Sequence, residues 1–279
     1  MPDTKKRLGI IGFGNMGSAI ALGAQALFEV FIFDKDKQKL INNNGLKIEA
    51  LVVDLVSKSD VLVLAVKPQD FDALLNEIRP FAQDKLIISI AAGITTGYIE
   101  NILKEASVIR AMPNMAVRIS AAETGLANGR YAKDEDLNLA KALFGLLGKV
   151  WVMKEEMIDS ITAISGSGPA YVFYDMEINK LDALKISVER KNEYIQRLKQ
   201  AALDVGFGPK MALELAVSTV ASSIQLLIQT GSSPVDLRKI ITSAGGTTEA
   251  ALKVLSKNGS WSEAALAARK RAQELSRQE

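Results

Sequence analysis

Neither cysteine nor histidine occurs among the 279 residues, and there are only two tryptophans. Without cysteine there is no disulfide framework and no thiol nucleophile. Without histidine the commonest general acid–base and the His-dependent metal sites are excluded as well, and no metal centre is expected. Any chemistry must run on a cofactor, backbone N–H groups, hydroxyls, amides, lysines or carboxylates. An excess of one charge is also missing: 34 Lys+Arg against 32 Asp+Glu leave a net +2. That balance gives no reason to expect nucleic acid or an acidic membrane surface as a partner. No secretory leader and no apolar span of about 18 residues is read, so the expected location is cytoplasmic. With 48% hydrophobic content the chain can bury a substantial core and is expected to form two domains.

The most informative stretch comes near the start. A short apolar strand, Leu8-Gly9-Ile10-Ile11, runs into Gly12-Phe13-Gly14-Asn15-Met16-Gly17 and then into an apolar helical pattern. Gly12 suits the tight turn, Gly14 lets a pyrophosphate approach the backbone, and Gly17 allows close helix–strand packing. The helix N-terminus then offers unpaired N–H groups to the anion. Asp34 ends the next apolar run about 20 residues beyond the glycines, where a carboxylate accepts hydrogen bonds from the adenosine ribose. The expected cofactor is therefore NADH or NADPH. Asp34 repels a 2′-phosphate and favours NADH, whereas Lys35, Lys37 and Lys39 partly compensate for that phosphate.

Apolar strands near residues 6–11, 30–34, 60–66, 86–90 and 107–111 alternate with helices beginning near Asn15, Lys37, Val52, Asp70 and Thr95. A further strand pair is expected at 124–127 and 150–152. The pattern predicts an α/β fold in which a Rossmann-like doubly wound domain, residues 1–159, precedes an all-α domain, residues 160–279. Helices of the second domain are expected from Pro169, over Pro209 to about Gln229, over Pro234–Ile241 and Thr247–Leu255, and from Trp261 onward. Apolar residues cover so much of the Pro209 helix that a buried central position or a subunit interface is expected. Between Pro169 and Gly206 there is neither glycine nor proline. The charged segment approximately within 175–200 therefore reads as one long helix, a solvent-exposed extension whose stripe is 181, 184, 188, 195 and 198.

Loops at the carboxyl ends of the strands line the ligand crevice of such a sheet. Ala65-Val66-Lys67-Pro68 follows the central strand; Pro68 restricts Lys67 to extended backbone, and Lys67 suits contact with the cofactor or with a carboxylate substrate. The small residues Ala91-Ala92-Gly93 allow a nicotinamide ring close to the backbone. Asn114 offers a neutral donor and acceptor, while Arg110 lies inside a strand, where pairing with a carboxylate would be structural. Two glycine-rich turns precede helices, Ser165-Gly166-Ser167-Gly168-Pro169 and Ser243-Ala244-Gly245-Gly246-Thr247-Thr248. The second forms a nest of N–H groups suited to a small acid.

Taken together with Tyr171-Val172-Phe173, these motifs span nearly the whole chain, which resembles the pyrroline-5-carboxylate reductase family. The resemblance implies hydride delivery from NAD(P)H to the C=N bond of L-1-pyrroline-5-carboxylate, the last step of proline biosynthesis. It also implies a helical domain that dimerises by interleaving, with dimers assembling in some members into a decamer. It places Gly12 to Gly17, Asp34, Ala65, Val66, Lys67, Pro68, Ala92, Gly93 and Asn114 at the cofactor. Ser243, Gly245, Gly246, Thr247 and Thr248 fall at the substrate carboxylate, with Thr248 at the ring nitrogen and Lys67 as a second catalytic candidate. Three departures stand out. Met115-Ala116 replaces Thr-Pro, Ala244 replaces proline, and the 175–200 segment interposes residues in the helix that follows Tyr171-Val172-Phe173-Tyr174. The alternatives are a related hydroxy-acid or imine reductase and a non-catalytic dinucleotide-binding module. The first is disfavoured by the absence of a lysine one or two turns beyond the Ser-Gly-Ser-Gly turn.

Overall fold

The computed structural model describes residues 5–41 and 43–276. The chain forms two units. One takes in the chain up to Met112 together with Thr124–Glu155, and the other takes in Pro113–Glu123 and the chain from Glu156. Compared with an expected division after residue 159, the helical unit begins slightly earlier and also claims an excursion from the middle of the sheet.

In the first unit β1 (Lys6–Ile11), β2 (Phe28–Phe33), β3 (Lys47–Ile48), β4 (Val61–Leu64), β5 (Leu86–Ser89), β6 (Ser107–Met112), β7 (Ala122–Asn128) and β8 (Gly148–Val152) share one sheet. Its order among the described residues is β3-β2-β1-β4-β5-β6-β7-β8. The strands up to β6 pair in parallel, and β7 turns antiparallel against β6. Continuous apolar sequence explains the centre: every residue of β4 and β5 is buried, as strands covered on both faces require. Helices α1 (Asn15–Ala24), α2 (Val52–Lys58), α3 (Phe71–Ile78), α4 (Thr96–Leu103) and α5 (Asp134–Gly145) complete the unit. The strand order reverses at β1, which pairs Leu8 with Val30 on one side and with Val61 on the other. Crevices of doubly wound sheets open at that point.

One local reading is corrected here and two elements are added. The helix expected from Lys37 is a single 3-10 turn, Lys37–Leu40, started by Asp36, whose Oδ1 accepts from Gln38 N at 3.1 Å. The two-residue edge strand β3 and helix α5 were not anticipated. Arg110 is buried, and Glu155 Oε1 lies 3.5 Å from its guanidinium while the same carboxylate accepts from Thr96 N (2.8 Å) and Thr96 Oγ1 (2.7 Å). That is the structural pairing considered for this arginine.

The second unit is helical. α6 (Ile158–Ile161) runs into a π-helical turn, Thr162–Gly166, followed by α7 (Gly168–Ile178), α8 (Val188–Asp204), α9 (Pro209–Thr230), α10 (Pro234–Ile241), α11 (Thr247–Leu255) and α12 (Trp261–Ser276). The single long helix expected over 175–200 is broken: α7 ends at Ile178, Lys180 adopts φ 52°, and Ser187 caps α8 by accepting from Arg190 N at 3.2 Å. Nor is the segment a solvent-exposed extension. Tyr194, Leu198, Ala201 and Ala202 are buried, whereas Leu184 and Val188 of the expected stripe are exposed. Asp175 ties the break together, accepting from Tyr194 Oη (2.7 Å), Arg197 (2.9 Å) and Asn179 Nδ2 (3.2 Å). Trp261 lies over the same place, with Tyr194 stacked 5.5 Å away and the Arg197 guanidinium 4.4 Å from its ring. α9 is long and apolar enough to cross a membrane by length and composition, but 56% of its apolar stretch is buried within the protein. This fits the expected central helix. Its Leu213, Val217 and Ile228 are exposed, at positions that recur along one side.

Candidate active site

In the first unit a cleft of about 510 Å³ opens at the carboxyl ends of β1, β2 and β4, lined among others by Gly12, Gly14, Asp34, Ala65, Val66 and Lys67. The three glycines differ in what surrounds them. Gly12 has φ +99° and lies so close to the Ala65 carbonyl that a Cβ would sit 2.6 Å from its oxygen. A Cβ at Gly17 would meet the Gly12 carbonyl oxygen at 1.9 Å, which is the close helix–strand packing expected of the third glycine. At Gly14 a Cβ would meet nothing within 4 Å. The backbone there is bare toward the cleft, and as the N-cap of α1 it brings no side-chain cap to the helix N–H groups. A dinucleotide pyrophosphate fits such a cradle, since the first-turn N–H groups have no intrahelical acceptor and favour an anion.

Asp34 is held firmly. Its carboxylate accepts from Phe13 N at 2.7 Å and Asp36 N at 2.8 Å, with Lys39 Nζ 3.6 Å away. The lysines that follow are already committed: Lys35 to Asp70 at 2.5 Å, Lys39 to Asp34 and Asp36, and Lys37 to the Ala50 carbonyl at 3.1 Å. Lys67 is exposed on extended backbone (φ −72°, ψ 151°) before the 3-10 turn Pro68–Asp70, as Pro68 requires. Phe13 is buried, Asn15 exposed and Met16 half-buried around the glycine turn. Ala92 is half-buried beside Gly93, whose φ is 86°.

In the second unit the two glycine-rich turns meet. Ser167 Oγ lies 3.2 Å from Thr247 Oγ1 and 3.1 Å from Thr248 Oγ1, joining the start of α7 to the start of α11. Thr248 and Ser167 are buried, Thr247 is half-buried and Ser243 is exposed. The Gly245–Gly246 turn is partly satisfied from within: Gly246 N donates to Ser243 O (3.1 Å) and Gly245 N to the Glu249 carboxylate (2.5 Å). Hydrogen bonds from Lys253 and then from Gly245 hold the Glu249 carboxyl below the usual range. Arg271 Nε donates to the Gly245 carbonyl at 2.7 Å, a brace the sequence reading missed. Thr247 N and Thr248 N, in the first turn of α11, are the backbone donors that helix geometry leaves for an anion.

Asn114 belongs to this unit, and its amide is largely spent there. Oδ1 accepts from Ala116 N and Glu123 N, both at 3.2 Å, and Nδ2 donates to the Ser165 carbonyl at 3.0 Å. The side chain is buried, leaving one amide hydrogen for any ligand. The Met115-Ala116 departure contributes to this arrangement, because a proline at 116 would have no N–H to give. Tyr171 Oη donates to the Ala163 carbonyl at 2.8 Å, and burial pushes its phenol up, so it stays protonated.

Residues 7–93 match the family described as "NADP oxidoreductase coenzyme F420-dependent", and residues 192–275 match "Pyrroline-5-carboxylate reductase dimerisation". The pyrroline-5-carboxylate reductase of Methanosarcina acetivorans is 33% identical over 258 residues, covering 87% of each chain. That of Glycine max is 31% identical over 288 residues, covering 99% of this chain and 98% of its own. Among solved structures, a pyrroline-5-carboxylate reductase from Coxiella burnetii superposes with a TM-score of 0.66 at 31% identity, covering 98% of this chain and all of the other. The Plasmodium falciparum pyrroline carboxylate reductase with NADP bound gives 0.63 at 27% identity, covering 99% of both chains.

Proposed function

This chain belongs to the pyrroline-5-carboxylate reductase family and is an NAD(P)H-dependent oxidoreductase that reduces L-1-pyrroline-5-carboxylate to L-proline; we propose that NADH is its preferred donor and that its residues divide the work as follows. The sheet unit holds the dinucleotide, and the helical unit dimerises and takes the substrate. Gly12, Phe13, Gly14, Asn15, Met16 and Gly17 form the pyrophosphate turn. Ala65, Val66, Lys67, Pro68, Ala92, Gly93 and Asn114 surround the rest of the cofactor. When bound, the reduced nicotinamide supplies the hydride that adds to C5 of the C=N bond. Thr247 N and Thr248 N hold the substrate carboxylate, with Ser243, Gly245 and Gly246 shaping its approach. Thr248 Oγ1 accepts the N–H of a protonated imine, which is already electrophilic and needs no strong acid. Lys67, exposed at the dinucleotide cleft, is the second catalytic candidate.

The observation that carries this reading is Thr248. It is a buried hydroxyl in the first turn of a helix whose N–H groups are open to an anion, in a chain with no imidazole or thiol to do the work instead. The exposed Leu213, Val217 and Ile228 on α9 support a homodimer. The fixed Asp34 carboxylate and the prior pairing of Lys35 and Lys39 support NADH.

Oxidation of NADH and NADPH followed at 340 nm with pyrroline-5-carboxylate tests the proposal. Turnover is expected with both, with the higher kcat/KM for NADH. Asp34→Asn keeps an acceptor for Phe13 N but removes the charge that repels a 2′-phosphate. It is expected to raise the NADPH-to-NADH ratio of kcat/KM about tenfold, ~1.4 kcal/mol. A wild-type preference for NADPH would overturn the cofactor assignment, and no turnover despite demonstrated binding of either cofactor would overturn the assignment of site roles.

A further inference from the structure

The π-helical turn Thr162–Gly166 is unusual backbone at an informative place. Such turns re-aim the residues that follow them and recur at functional sites. Here Ser167 N donates to Thr162 O at 2.8 Å, one residue further back than in an α-helix. The carbonyls displaced by this widening are held from outside the turn, Ala163 O by Tyr171 Oη and Ser165 O by Asn114 Nδ2. Two buried side chains therefore fix a turn whose product is the placement of one hydroxyl, Ser167 Oγ, between Thr247 Oγ1 (3.2 Å) and Thr248 Oγ1 (3.1 Å).

We propose that Ser167 is a positioning residue for the reductase reaction, orienting the hydroxyls of Thr247 and Thr248 toward the substrate. A serine hydroxyl carries one hydrogen and two lone pairs. Placed between two threonines, it donates to one and accepts from the other, so the direction of each threonine hydroxyl is coupled to the other through it. When Thr248 Oγ1 accepts the N–H of a protonated imine, its own hydrogen is received by Ser167. When the imine arrives neutral, Thr248 donates to the nitrogen and Ser167 donates to Thr248. In either state the buried Thr248 hydroxyl is satisfied, whereas without Ser167 one of its two capacities is left empty at a buried position, which is the costly arrangement. Ser167 itself touches neither substrate nor cofactor in this scheme.

The inference rests on the role given above to Thr248, and a double-mutant cycle separates the two. Turnover of pyrroline-5-carboxylate with NADH is measured for the wild type, Ser167→Ala, Thr248→Val and the double variant, with NADH affinity and the melting temperature recorded for each. Thr248→Val is expected to lower kcat about 100-fold. Ser167→Ala is expected to lower kcat about tenfold with NADH affinity unchanged, yet to change kcat less than twofold when Thr248 is already valine. Independent losses that multiply, or a Ser167→Ala enzyme within twofold of wild type, would overturn the positioning role while leaving Thr248 in place. Undiminished turnover by Thr248→Val would overturn the role of Thr248, and with it this inference. If Ser167→Ala does not fold, Ser167→Cys preserves the shape with a weaker hydrogen-bonding group and is read by the same cycle.

Discussion

Replacing Gly14 by valine is expected to leave the fold intact and weaken NADH binding about 100-fold, ~2.8 kcal/mol, while Gly17→Ala is expected to damage the fold itself. The contrast follows from their surroundings. A Cβ at Gly14 finds no protein atom within 4 Å, so a branched side chain there enters only the cleft, where the pyrophosphate would approach the backbone. A Cβ at Gly17 would sit 1.9 Å from the Gly12 carbonyl oxygen. Neither atom belongs to a flexible side chain, so α1 must separate from the β1 turn, at about 3 kcal/mol or more. Circular dichroism melts and NADH titration by fluorescence distinguish the two effects. A Gly14→Val protein with wild-type affinity would remove the glycine turn from the cofactor site, and a Gly17→Ala protein melting with the wild type would show that the loop relaxes without loss.

Trp261→Ala is the second change with a large expected effect, about 3–5 kcal/mol of destabilisation. The indole is 3% exposed, lies 5.9 Å edge-on from Tyr171, stacks on Tyr194, and has the Arg197 guanidinium over its ring at 4.4 Å. Removing it opens a cavity that two buried aromatic neighbours cannot close without leaving Ala163 O and Asp175, to which their hydroxyls are bonded. A melting temperature lower by about 10 °C is expected. Limited proteolysis should then cut first between α7 and α8, because Tyr194 is what fastens α8 at that point. An unchanged melting temperature and cleavage pattern would show that α8 is held by its contacts with α9 instead.

How far the sequence could be read depended on how each segment earns its structure. The central strands were legible because they are buried on both sides and so apolar without interruption. β3 is two exposed residues at the sheet edge, with no pattern to see. In α5 only Ala140, Leu143 and Phe144 are buried, so its apolar face is short, though the acidic first turn Asp134-Glu135-Asp136 was a usable start signal. The break between α7 and α8 contains neither glycine nor proline, which hid it. Ser187, three residues before Arg190, was the readable cap, and missing it joined Leu184 and Val188, which are exposed, in one stripe with the buried Leu198. At the site, the glycines and hydroxyls were legible as motifs, but their mutual engagement was not. No spacing rule brings Ser167 to Thr248 across 81 positions or spends the amide of Asn114 on Ser165, because those contacts are made by folding rather than by local pattern.

The excursion Pro113–Glu123 has a consequence for how this protein is made. The chain leaves the sheet unit after Met112, returns at Thr124 and leaves again after Glu155. During synthesis β7 and β8 therefore emerge only after a stretch whose packing partners, the helices from Glu156 onward, have not yet been translated. Both units stay unfinished on the ribosome: the sheet until Val152 is out, and the excursion until α9, which packs against it, has followed. For the same reason a single cut in the chain frees neither unit whole, and a truncated gene ending at the last strand would carry Pro113–Glu123 as an apolar segment with nothing to fold onto.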